Sequence, residues 1–258
     1  MGIDNQIYDR IGDGWWDEAN PLNMLHGSFT PGRFAYFRAV LGRRGLDPAG
    51  LRAVDIGCGG GFMAEEFARL GCRVAGLDRS EVSVRTARAH ADSSGLAIGY
   101  AVAAGERLPL AAASVDLAYC CDVLEHVSDL DHVIGETARV LKPGGLYLFD
   151  TINRTRASKL LAIKVAQEWR LTRLVDTELH SWAMFIKPTE LEGTLRRHRL
   201  RLGEITGLGP RANKLRILRG FLRARRGEIT FGRLSHLMDV GQVKSTAISY
   251  MGFAVKSE

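Results

Sequence analysis

The sequence predicts an α/β fold in which a mostly parallel sheet carries helices on both faces. Short apolar segments alternate with stretches of helical periodicity through the middle of the chain, as they do in strand–helix–strand units. The apolar run 51–56 leads into a cluster of glycines, and the segment 61–70 behind it has helical periodicity. A glycine turn between a buried strand and a helix is typical of α/β proteins that bind nucleotides.

Seven strands and five helices are predicted in chain order. Strands are expected at 51–56, 73–78, 97–102, 115–121, 145–151, 199–206 and 246–255. Helices are expected at 30–44, 61–70, 80–94, 129–141 and 189–198. Thr30 and Pro31 predict an N-cap and a first helical turn, and the run from Thr189 to Glu192 predicts a capping box. Both motifs satisfy the free backbone donors at the start of a helix.

The turn after the first strand runs from Asp55 to Gly61 and holds glycines at 57, 59, 60 and 61. Glycine has no Cβ, so a ligand can lie against the backbone where the next helix begins. Asp78 ends the second strand, where a carboxylate can accept hydrogen bonds from both hydroxyls of a ribose. A dinucleotide fingerprint needs glycine at its sixth position, and Phe62 stands there. The pattern favours S-adenosylmethionine (SAM), while a dinucleotide and a purely structural turn stay open.

Several later segments resemble known methyltransferases. The segments 116–127 and 140–145 resemble the fourth strand and the turn before the fifth strand of class I SAM-dependent methyltransferases. Within that class, the segments 151–155, 185–191 and 249–251 are similar to the ubiquinone-biosynthesis O-methyltransferases. The resemblance implies a Rossmann-like class I methyltransferase fold with a mostly parallel seven-stranded sheet and lid insertions.

The resemblance also implies an activity. It implies an enzyme that moves a methyl group from SAM to a phenolic or catechol hydroxyl and releases S-adenosylhomocysteine. The acceptor is expected to be a small, hydrophobic aromatic molecule or quinone precursor. A natural-product C-, N- or S-methyltransferase stays open as an alternative, and so does a binding protein that keeps SAM without turnover, because this fold serves many functions.

A single methyltransferase domain is expected over residues 1–258. Cap helices are placed in 1–45 and the donor-binding core in 46–151. The stretches 154–186 and 208–241 interrupt the alternation of strands and helices, and they are interpreted as lid insertions over the acceptor side.

Donor contacts are implied by the resemblance. It implies that Arg33 meets the donor carboxylate, that Gly57 lies under the amino-acid portion and that Cys121 faces the donor. The loop after the third strand is implied to bracket the adenine near Gly105 and Glu106, although many class members carry aspartate just before this glycine, where alanine stands here. The predicted donor residues are Arg33, Asp55, Gly57, Gly59, Gly61, Asp78, Arg79, Gly105, Glu106 and Cys121. A solvated Arg33 and a capping or surface role for Glu106 stay open.

Asp122, Glu125 and His126 are the predicted catalytic residues. Asp122 and Glu125 are three apart, so a helical turn at the mouth of the fourth strand would place them on one face beside His126. The same three side chains could hold a divalent ion, with Mg²⁺ favoured for the oxygens, and the ion would lower the pKa of a phenol. The ubiquinone enzymes place Glu where Asp122 stands. A metal-free general base at His126 and a structural pair therefore stay open.

Two further segments are assigned by resemblance. The stretch from Tyr8 to Trp16 resembles the segment that closes over the donor, where aromatic rings could exclude water and wall the acceptor pocket. Structural packing of Trp15 and Trp16 is the open alternative. His180 matches a histidine in the family's lid, and a surface histidine is the alternative there.

Composition favours a cytoplasmic protein that acts on a small molecule. The 258 residues are 46% hydrophobic and 25% charged, and no apolar run approaches the length of a membrane span. The first residues also lack the basic and apolar stretches of a signal peptide. Four cysteines without paired spacing predict reduced thiols and no zinc site.

The net charge of +6 comes from one segment. Residues 211–226 hold one lysine and six arginines without an acid, so the rest of the chain is close to neutral. No nucleic-acid partner is expected, because the cations are not spread around the predicted site and no nucleic-acid-binding module is recognised. This segment and 158–175 are basic and amphipathic, as in helices that lie on anionic membranes, but packing on the protein's own core stays open.

Overall fold

The computed structural model describes residues 4–168 and 180–258. Within these ranges the chain forms one eight-stranded sheet. The strands are β1 (Arg52–Ile56), β2 (Arg73–Asp78), β3 (Gly99–Val102), β4 (Val115–Cys120), β5 (Leu141–Ile152), β6 (Leu200–Pro210), β7 (Val240–Val243) and β8 (Ser249–Lys256). Their order across the sheet is β3-β2-β1-β4-β5-β8-β6-β7. The first five strands pair in parallel, and β8, β6 and β7 extend the sheet by antiparallel pairing.

Helices cover both faces of the sheet. The α-helices of the described ranges are α1 (Ile7–Ile11), α2 (Thr30–Arg43), α3 (Phe62–Arg69), α4 (Glu81–Ser93), α5 (Leu130–Val140), α6 (Arg156–Ser158), α7 (Pro188–Arg197), α8 (Lys214–Arg225) and α9 (Phe231–Met238). Residues of α2, α3 and α4 pack into one buried apolar cluster, and residues of α5 and α7 pack into another.

Successive side chains of a strand point to opposite faces of the sheet, and helices cover both faces of the central strands. These strands therefore carry apolar side chains on both sides. On β4, Leu117 and Tyr119 enter the cluster beneath α2, α3 and α4. Ala118 and Cys120 of the same strand enter the cluster beneath α5 and α7. The ring of Tyr119 stacks on Phe67 of α3 with centroids 4.3 Å apart. The predicted parallel sheet with helices on both faces is therefore confirmed.

The order of the strands across the sheet reverses at β1. This strand pairs with β2 on one side and with β4 on the other. In an open α/β sheet such a point leaves a crevice beyond the carboxyl ends of the strands, and ligands bind there. The loops after β1, β2 and β4 carry most of the predicted site residues into this crevice.

The prediction of seven strands is wrong by one. The additional strand, β7, begins at the end of the predicted insertion 208–241, extends two residues beyond it and pairs antiparallel with the end of β6. It is an edge strand of four residues, two of them buried, so it offers little of the alternation by which a strand is recognised. The predicted insertion therefore begins in β6 and ends in β7, and its helices α8 and α9 lie outside the sheet.

Thr30 is not an N-cap. A π-helical segment, Leu25–Phe29, runs directly into α2, so Thr30 lies inside continuous helix and is buried. The backbone donors that a cap would satisfy are already used by the preceding turn.

The capping box of α7 begins two residues earlier than predicted. Pro188 takes the first helical position, which suits a residue without a backbone N–H. The carboxylate of Glu190 accepts a hydrogen bond from the backbone N–H of Lys187 at 3.1 Å. The predicted box from Thr189 to Glu192 is therefore wrong in register.

The two predicted lid insertions, 154–186 and 208–241, expose leucines. The exposed leucines are Leu160, Leu161, Leu215, Leu218 and Leu222, and those of α8 are 47 to 63% exposed. Gly220 is buried and lies against α9, so α8 packs through its glycine side while its leucines face outward. Within the described ranges these five leucines are not packed on the core, whereas Ile163 of the stretch 158–175 is buried.

Part of the predicted amphipathic stretch 158–175 lies outside the described residues. Its members there are Trp169, Arg170, Leu171, Arg173 and Leu174. A search of the described ranges finds no helix with both the length and the apolar character needed to cross a bilayer.

Candidate active site

A cavity of about 140 Å³ lies at the carboxyl ends of the central strands. Its lining comes from the turn after β1, the ends of β2 and β4, the loop after β3 and the N-terminal segment. The predicted donor residues that line it are Arg33, Asp55, Gly57, Gly59, Asp78, Arg79, Gly105 and Cys121. The structure therefore brings together residues that the sequence separates by up to 88 positions.

Gly61 and Glu106 do not line this cavity. A Cβ at Gly61 would lie 2.5 Å from the hydroxyl oxygen of Tyr100, so close packing of the turn against β3 requires glycine there. The Oε2 atom of Glu106 is buried and has no hydrogen-bond partner in the described part of the chain. The donor contacts of both residues stay predictions.

Gly57 fixes the shape of the turn after β1. Its φ is +77°, and a Cβ at this position would lie 2.2 Å from a methyl carbon of Val123. The backbone N–H groups of Gly57 and Cys58 both donate to the carbonyl of Leu77, at 2.7 and 3.0 Å. The turn is therefore tied to β2 by backbone hydrogen bonds, and only glycine fits its first position.

Asp78 is held at the edge of the cavity by backbone donors. Its two carboxylate oxygens accept hydrogen bonds from the N–H groups of Gly59 and Ser80, each at 2.9 Å. Burial raises the pKa of this carboxyl, and the backbone donors oppose that shift. A carboxylate can accept further hydrogen bonds on its remaining lone pairs. The position therefore suits the predicted grip on a ribose.

Arg33 is buried between two acids. Its guanidinium pairs with the carboxylates of Asp122 and Asp150, and the residue is only 2% exposed. Asp150 also accepts a hydrogen bond from the backbone N–H of Asp122 at 2.9 Å. The alternative of a solvated Arg33 is therefore wrong. The three side chains form a compact charged group that can orient a zwitterionic amino-acid moiety.

Sequence reasoning missed Asp150. The residue lies near the end of β5, is 1% exposed and follows the apolar run Leu146–Phe149. An acid inside such a run cannot be buried without a partner, which was the available signal. Nothing local in the sequence identifies Arg33 as that partner.

Asp122 does not share a helical face with Glu125. Its φ is +54°, in the left-handed region that Asp tolerates better than most residues, and a 3₁₀ turn begins only at Leu124. Asp122 turns to Arg33, whereas Glu125 accepts a hydrogen bond from the hydroxyl of Thr151 at 2.8 Å. The predicted common face is therefore wrong, because the backbone changes direction between these two residues.

His180 joins Glu125 and His126 in place of Asp122. One potential ligand atom from each of these three residues lies within 4.8 Å of the other two. The rings of His126 and His180 have centroids 4.9 Å apart. His126 lines the cavity, so the cluster lies beside it. The alternative of a surface histidine at 180 is wrong.

Aromatic residues of the N-terminal segment complete the cavity. Tyr8 meets His126 edge-on at 6.1 Å and lies parallel to Trp15 at 6.0 Å. The indole N–H of Trp15 donates to the hydroxyl oxygen of Ser83 at 2.9 Å, and its ring covers Gly59. Trp15 is therefore both packed and exposed to the cavity, whereas Trp16 does not line it.

Comparison with known proteins assigns this architecture. A family described as a methyltransferase domain matches residues 54–149. The ubiquinone biosynthesis O-methyltransferase of Methylobacterium sp. (strain 4-46) is 40% identical over 215 residues, which cover 78% of this chain and 82% of that protein. The protein of the same name from Xanthomonas axonopodis pv. citri is 38% identical over 202 residues, with coverages of 78% and 81%.

The chain belongs to the ubiquinone-biosynthesis O-methyltransferase family. It is a SAM-dependent methyltransferase, with SAM as the donor and S-adenosylhomocysteine as the product. The residues of the cavity fit this donor. A glycine turn leaves space where side chains would stand, Asp78 can hold the ribose, and the group around Arg33 can meet the amino-acid portion.

Solved structures with this fold serve more than one reaction. A SAM-dependent methyltransferase from Thermotoga maritima has a TM-score of 0.62 at 18% identity, covering 97% of this chain and 99% of that one. The [4+2]-cyclase SpnF has a TM-score of 0.61 at 19% identity, with coverages of 100% and 99%. Likeness at this identity shows the fold alone, so the chemistry of this family member must be argued from its site.

Burial sets the protonation of the Glu125 cluster. Burial, with the charges of Asp122 and Asp150, raises the pKa of Glu125 to about 8. Burial lowers the pKa of His126 to about 4. It also lowers the pKa of His180 to about 3, with the neighbouring His126 as a smaller cause. At neutral pH both imidazoles are therefore neutral, and a lone pair on each is available.

The cluster does not fit Mg²⁺. Asp122, the second predicted oxygen ligand, is committed to Arg33, and the remaining set offers one carboxylate and two imidazoles. Mg²⁺ prefers oxygen ligands, whereas imidazole suits metals such as zinc and iron. The Oε1 atom of Glu125 and the Nδ1 atom of His126 are buried without partners in the described ranges. We therefore assign no step to Mg²⁺.

Proposed function

We propose that this enzyme methylates a phenolic or catechol hydroxyl of a small hydrophobic aromatic acceptor, with His126 as the general base. One observation carries the proposal: His126 lines the donor cavity with a neutral imidazole whose Nδ1 has no partner in the described chain. A base must reach the acceptor proton beside the transferred methyl group. Among the predicted catalytic residues, His126 offers a basic atom there that no other contact in the described ranges occupies.

The donor is oriented by residues on three strand ends. Asp78 at the end of β2 holds the ribose, and Gly57 lets the amino-acid portion lie on the backbone. Arg33 meets the donor carboxylate, while Asp122 and Asp150 leave negative charge for the donor ammonium. This division follows from the charges around Arg33 and from the backbone bonds that fix Asp78.

Bound SAM supplies a methyl group on a positively charged sulfur, and transfer is an in-line displacement by the acceptor oxygen. His126 accepts the proton that the oxygen loses. The oxygen becomes a much stronger acid as its new bond to carbon forms, so an imidazole with a lowered pKa is basic enough. The positive charge lost from sulfur then resides on the imidazolium of His126. The carboxyl of Glu125, with an oxygen within 4.8 Å of the imidazole, can release its own proton to water, and the resulting carboxylate then stabilises the imidazolium.

The acceptor side supports an aromatic ligand. Tyr8 and Trp15 present rings to the cavity, and His180 brings a second imidazole from the lid. The names of the relatives point to quinone precursors.

A donor-dependent activity screen tests this function. The purified enzyme is incubated with SAM carrying a ¹³C-labelled methyl group and with catechols, polyprenyl phenols or polycyclic phenols, each with and without EDTA. We expect a labelled methoxy product from at least one class. Labelled methyl on carbon, nitrogen or sulfur, or no transfer to any phenol, would contradict the proposal. Loss of activity in EDTA would show that the reaction needs a metal and would contradict metal-free catalysis by His126.

We further propose that α8 contacts an anionic membrane. Its exposed leucines, at i, i+3 and i+7, lie among arginines in a segment without acids. Such a face suits a surface of anionic lipids, because leucines enter the interface while arginines meet the headgroups. Sedimentation with phosphatidylglycerol vesicles at low salt should deplete the wild type from solution. The Leu215→Ser, Leu218→Ser, Leu222→Ser variant should remain in solution, and equal behaviour of the two proteins would contradict this contact.

A further inference from the structure

Trp16 lies outside the lining of the donor cavity and stacks on a histidine. Its ring lies flat against His90 of α4, with centroids 3.4 Å apart and an interplanar angle of 4°. Phe62 meets the same indole edge-on at 4.6 Å, and His26 lies at 4.9 Å. Trp16 is therefore enclosed by aromatic rings from three parts of the chain.

A buried acid fixes the orientation of His90. The Nδ1 atom of His90 lies 2.6 Å from Oε1 of Glu65, whose side chain is fully buried in α3. The other oxygen of Glu65 accepts a hydrogen bond from Arg69 at 2.7 Å. A buried carboxylate that is paired on both oxygens holds its partners in a defined geometry. The imidazole is thus held in the plane that Trp16 stacks against.

The same tryptophan is bonded to the donor turn. Its indole N–H donates to the carbonyl of Gly60 at 2.9 Å. Its neighbour Trp15 covers Gly59 and Gly60 and lines the cavity. The stack on His90 therefore holds the N-terminal segment against the turn on which the donor is expected to lie.

The N-terminal segment covers one side of the donor cavity. The cavity of about 140 Å³ is smaller than the range of roughly 300–1,000 Å³ that is usual for sites of small molecules. Its other walls come from strand ends, the loops after them and the first turns of α2 and α3. Asn5, Tyr8, Trp15 and Leu25 belong to the segment before α2, which can separate from the sheet without breaking strand pairing.

We propose that Glu65, His90 and Trp16 are positioning residues that clamp the N-terminal segment over the bound donor and so set how long SAM and S-adenosylhomocysteine remain bound. None of the three residues lines the cavity, and only Trp16 contacts a residue that does, Phe62. The inference rests on donor binding in this cavity and not on the identity of the acceptor. It predicts a specific effect on donor retention.

Stopped-flow measurement of donor dissociation tests the clamp. His90→Ala and Trp16→Ala should each speed the dissociation of S-adenosylhomocysteine about three- to tenfold, which is the value of one aromatic stack. Both should raise the KM for SAM more than they lower kcat. The double variant should be no faster than the faster single variant, because both changes break the same contact. Glu65→Gln keeps a hydrogen bond to His90 and should stay close to the wild type, whereas Glu65→Ala should resemble His90→Ala.

Control variants separate the clamp from general destabilisation. His198 of the chain pairs with the exposed Asp131, so His198→Ala removes a histidine without touching the N-terminal segment and should leave dissociation unchanged. His90→Gln retains the bond to Glu65 and lacks only the ring, so it carries the test if His90→Ala does not fold. Wild-type dissociation rates in the folded His90 variants, or additive effects in the double variant, would overturn the clamp. Failure of the wild type to bind either ligand would instead overturn the donor cavity.

Discussion

The donor side and the acceptor side of this site are built differently. On the donor side, the turn after β1 and the carboxylate of Asp78 are tied down by backbone hydrogen bonds. On the acceptor side, Glu125, His126 and His180 come from a 3₁₀ turn and a lid and meet only through side chains. Backbone geometry therefore fixes the turn proposed to hold the donor, whereas burial and packing tune the groups proposed to act on the acceptor.

The largest effect is expected from His126→Ala. Removal of a general base costs about 10²- to 10⁴-fold in rate. The rate constant of single-turnover methyl transfer should fall by that factor, while donor affinity stays the same because Asp78 and the glycine turn are intact. A fall of less than about tenfold would mean that another group takes the proton. Such a small fall would also mean that the acceptor side lacks the catalytic group by which we distinguish it from the donor side.

Asp78→Ala should weaken donor binding, which His126→Ala should leave unchanged. Hydrogen bonds to a charged group contribute about 1.5–3 kcal/mol each, so the loss of a ribose contact should raise the Kd for SAM about 100-fold. Calorimetric titration measures this constant directly. Asp131→Ala, a change in an exposed ion pair that does not line the cavity, is the matched control and should bind as the wild type does. Equal affinities in the two variants would exclude Asp78 from the donor site.

Local features of the site could be predicted from the sequence, whereas contacts between distant residues could not. The glycine turn and Asp78 were found because a strand, a turn and the end of the next strand are local features. Asp150 and its pairing with Arg33 were missed, since 117 positions separate these partners. The left-handed backbone of Asp122, which turns its carboxylate from Glu125 to Arg33, has no signal in residue type alone.

Elements outside the parallel core were also harder to predict. The four-residue edge strand β7 was not predicted, and its first two residues were assigned to the insertion 208–241. Its pairing partners lie 30 to 36 residues earlier in β6, so no local pattern identifies it. The predicted cap at Thr30 failed because helical backbone already precedes it. His180 could be placed in the site only by resemblance, since periodicity does not relate a lid to the end of β4.

Gly57→Ala should destabilise the fold itself. A residue with a Cβ at φ of +77° costs about 1–3 kcal/mol, and the added carbon would also press on Val123. Urea denaturation should report a lower free energy of unfolding by about this amount. The Val123→Ala background relieves the contact but not the backbone strain, so it should recover part of the loss. Full recovery would show that the left-handed conformation is not costly here.

The effect of Glu125→Gln on stability is expected to depend on pH. The carboxyl has a pKa of about 8 when folded and about 4.3 when unfolded, so the folded state retains a proton that the unfolded state loses. The wild type therefore loses stability as pH rises between these values, by at most about 1.4 kcal/mol per unit. Glutamine does not titrate. The variant should gain stability relative to the wild type from about pH 5 to about pH 8, and a parallel pH dependence of the two proteins would contradict the raised pKa.

The most direct test compares two acceptors that differ only in one hydroxyl group. The best phenol from the screen and its analogue without that hydroxyl are each incubated with enzyme and SAM carrying a ¹³C methyl group, and the products are examined by NMR. We predict a methoxy resonance from the phenol and no labelled product from the analogue. Methylation of the analogue at carbon, or at any atom other than oxygen, would contradict O-methyl transfer as the reaction of this site.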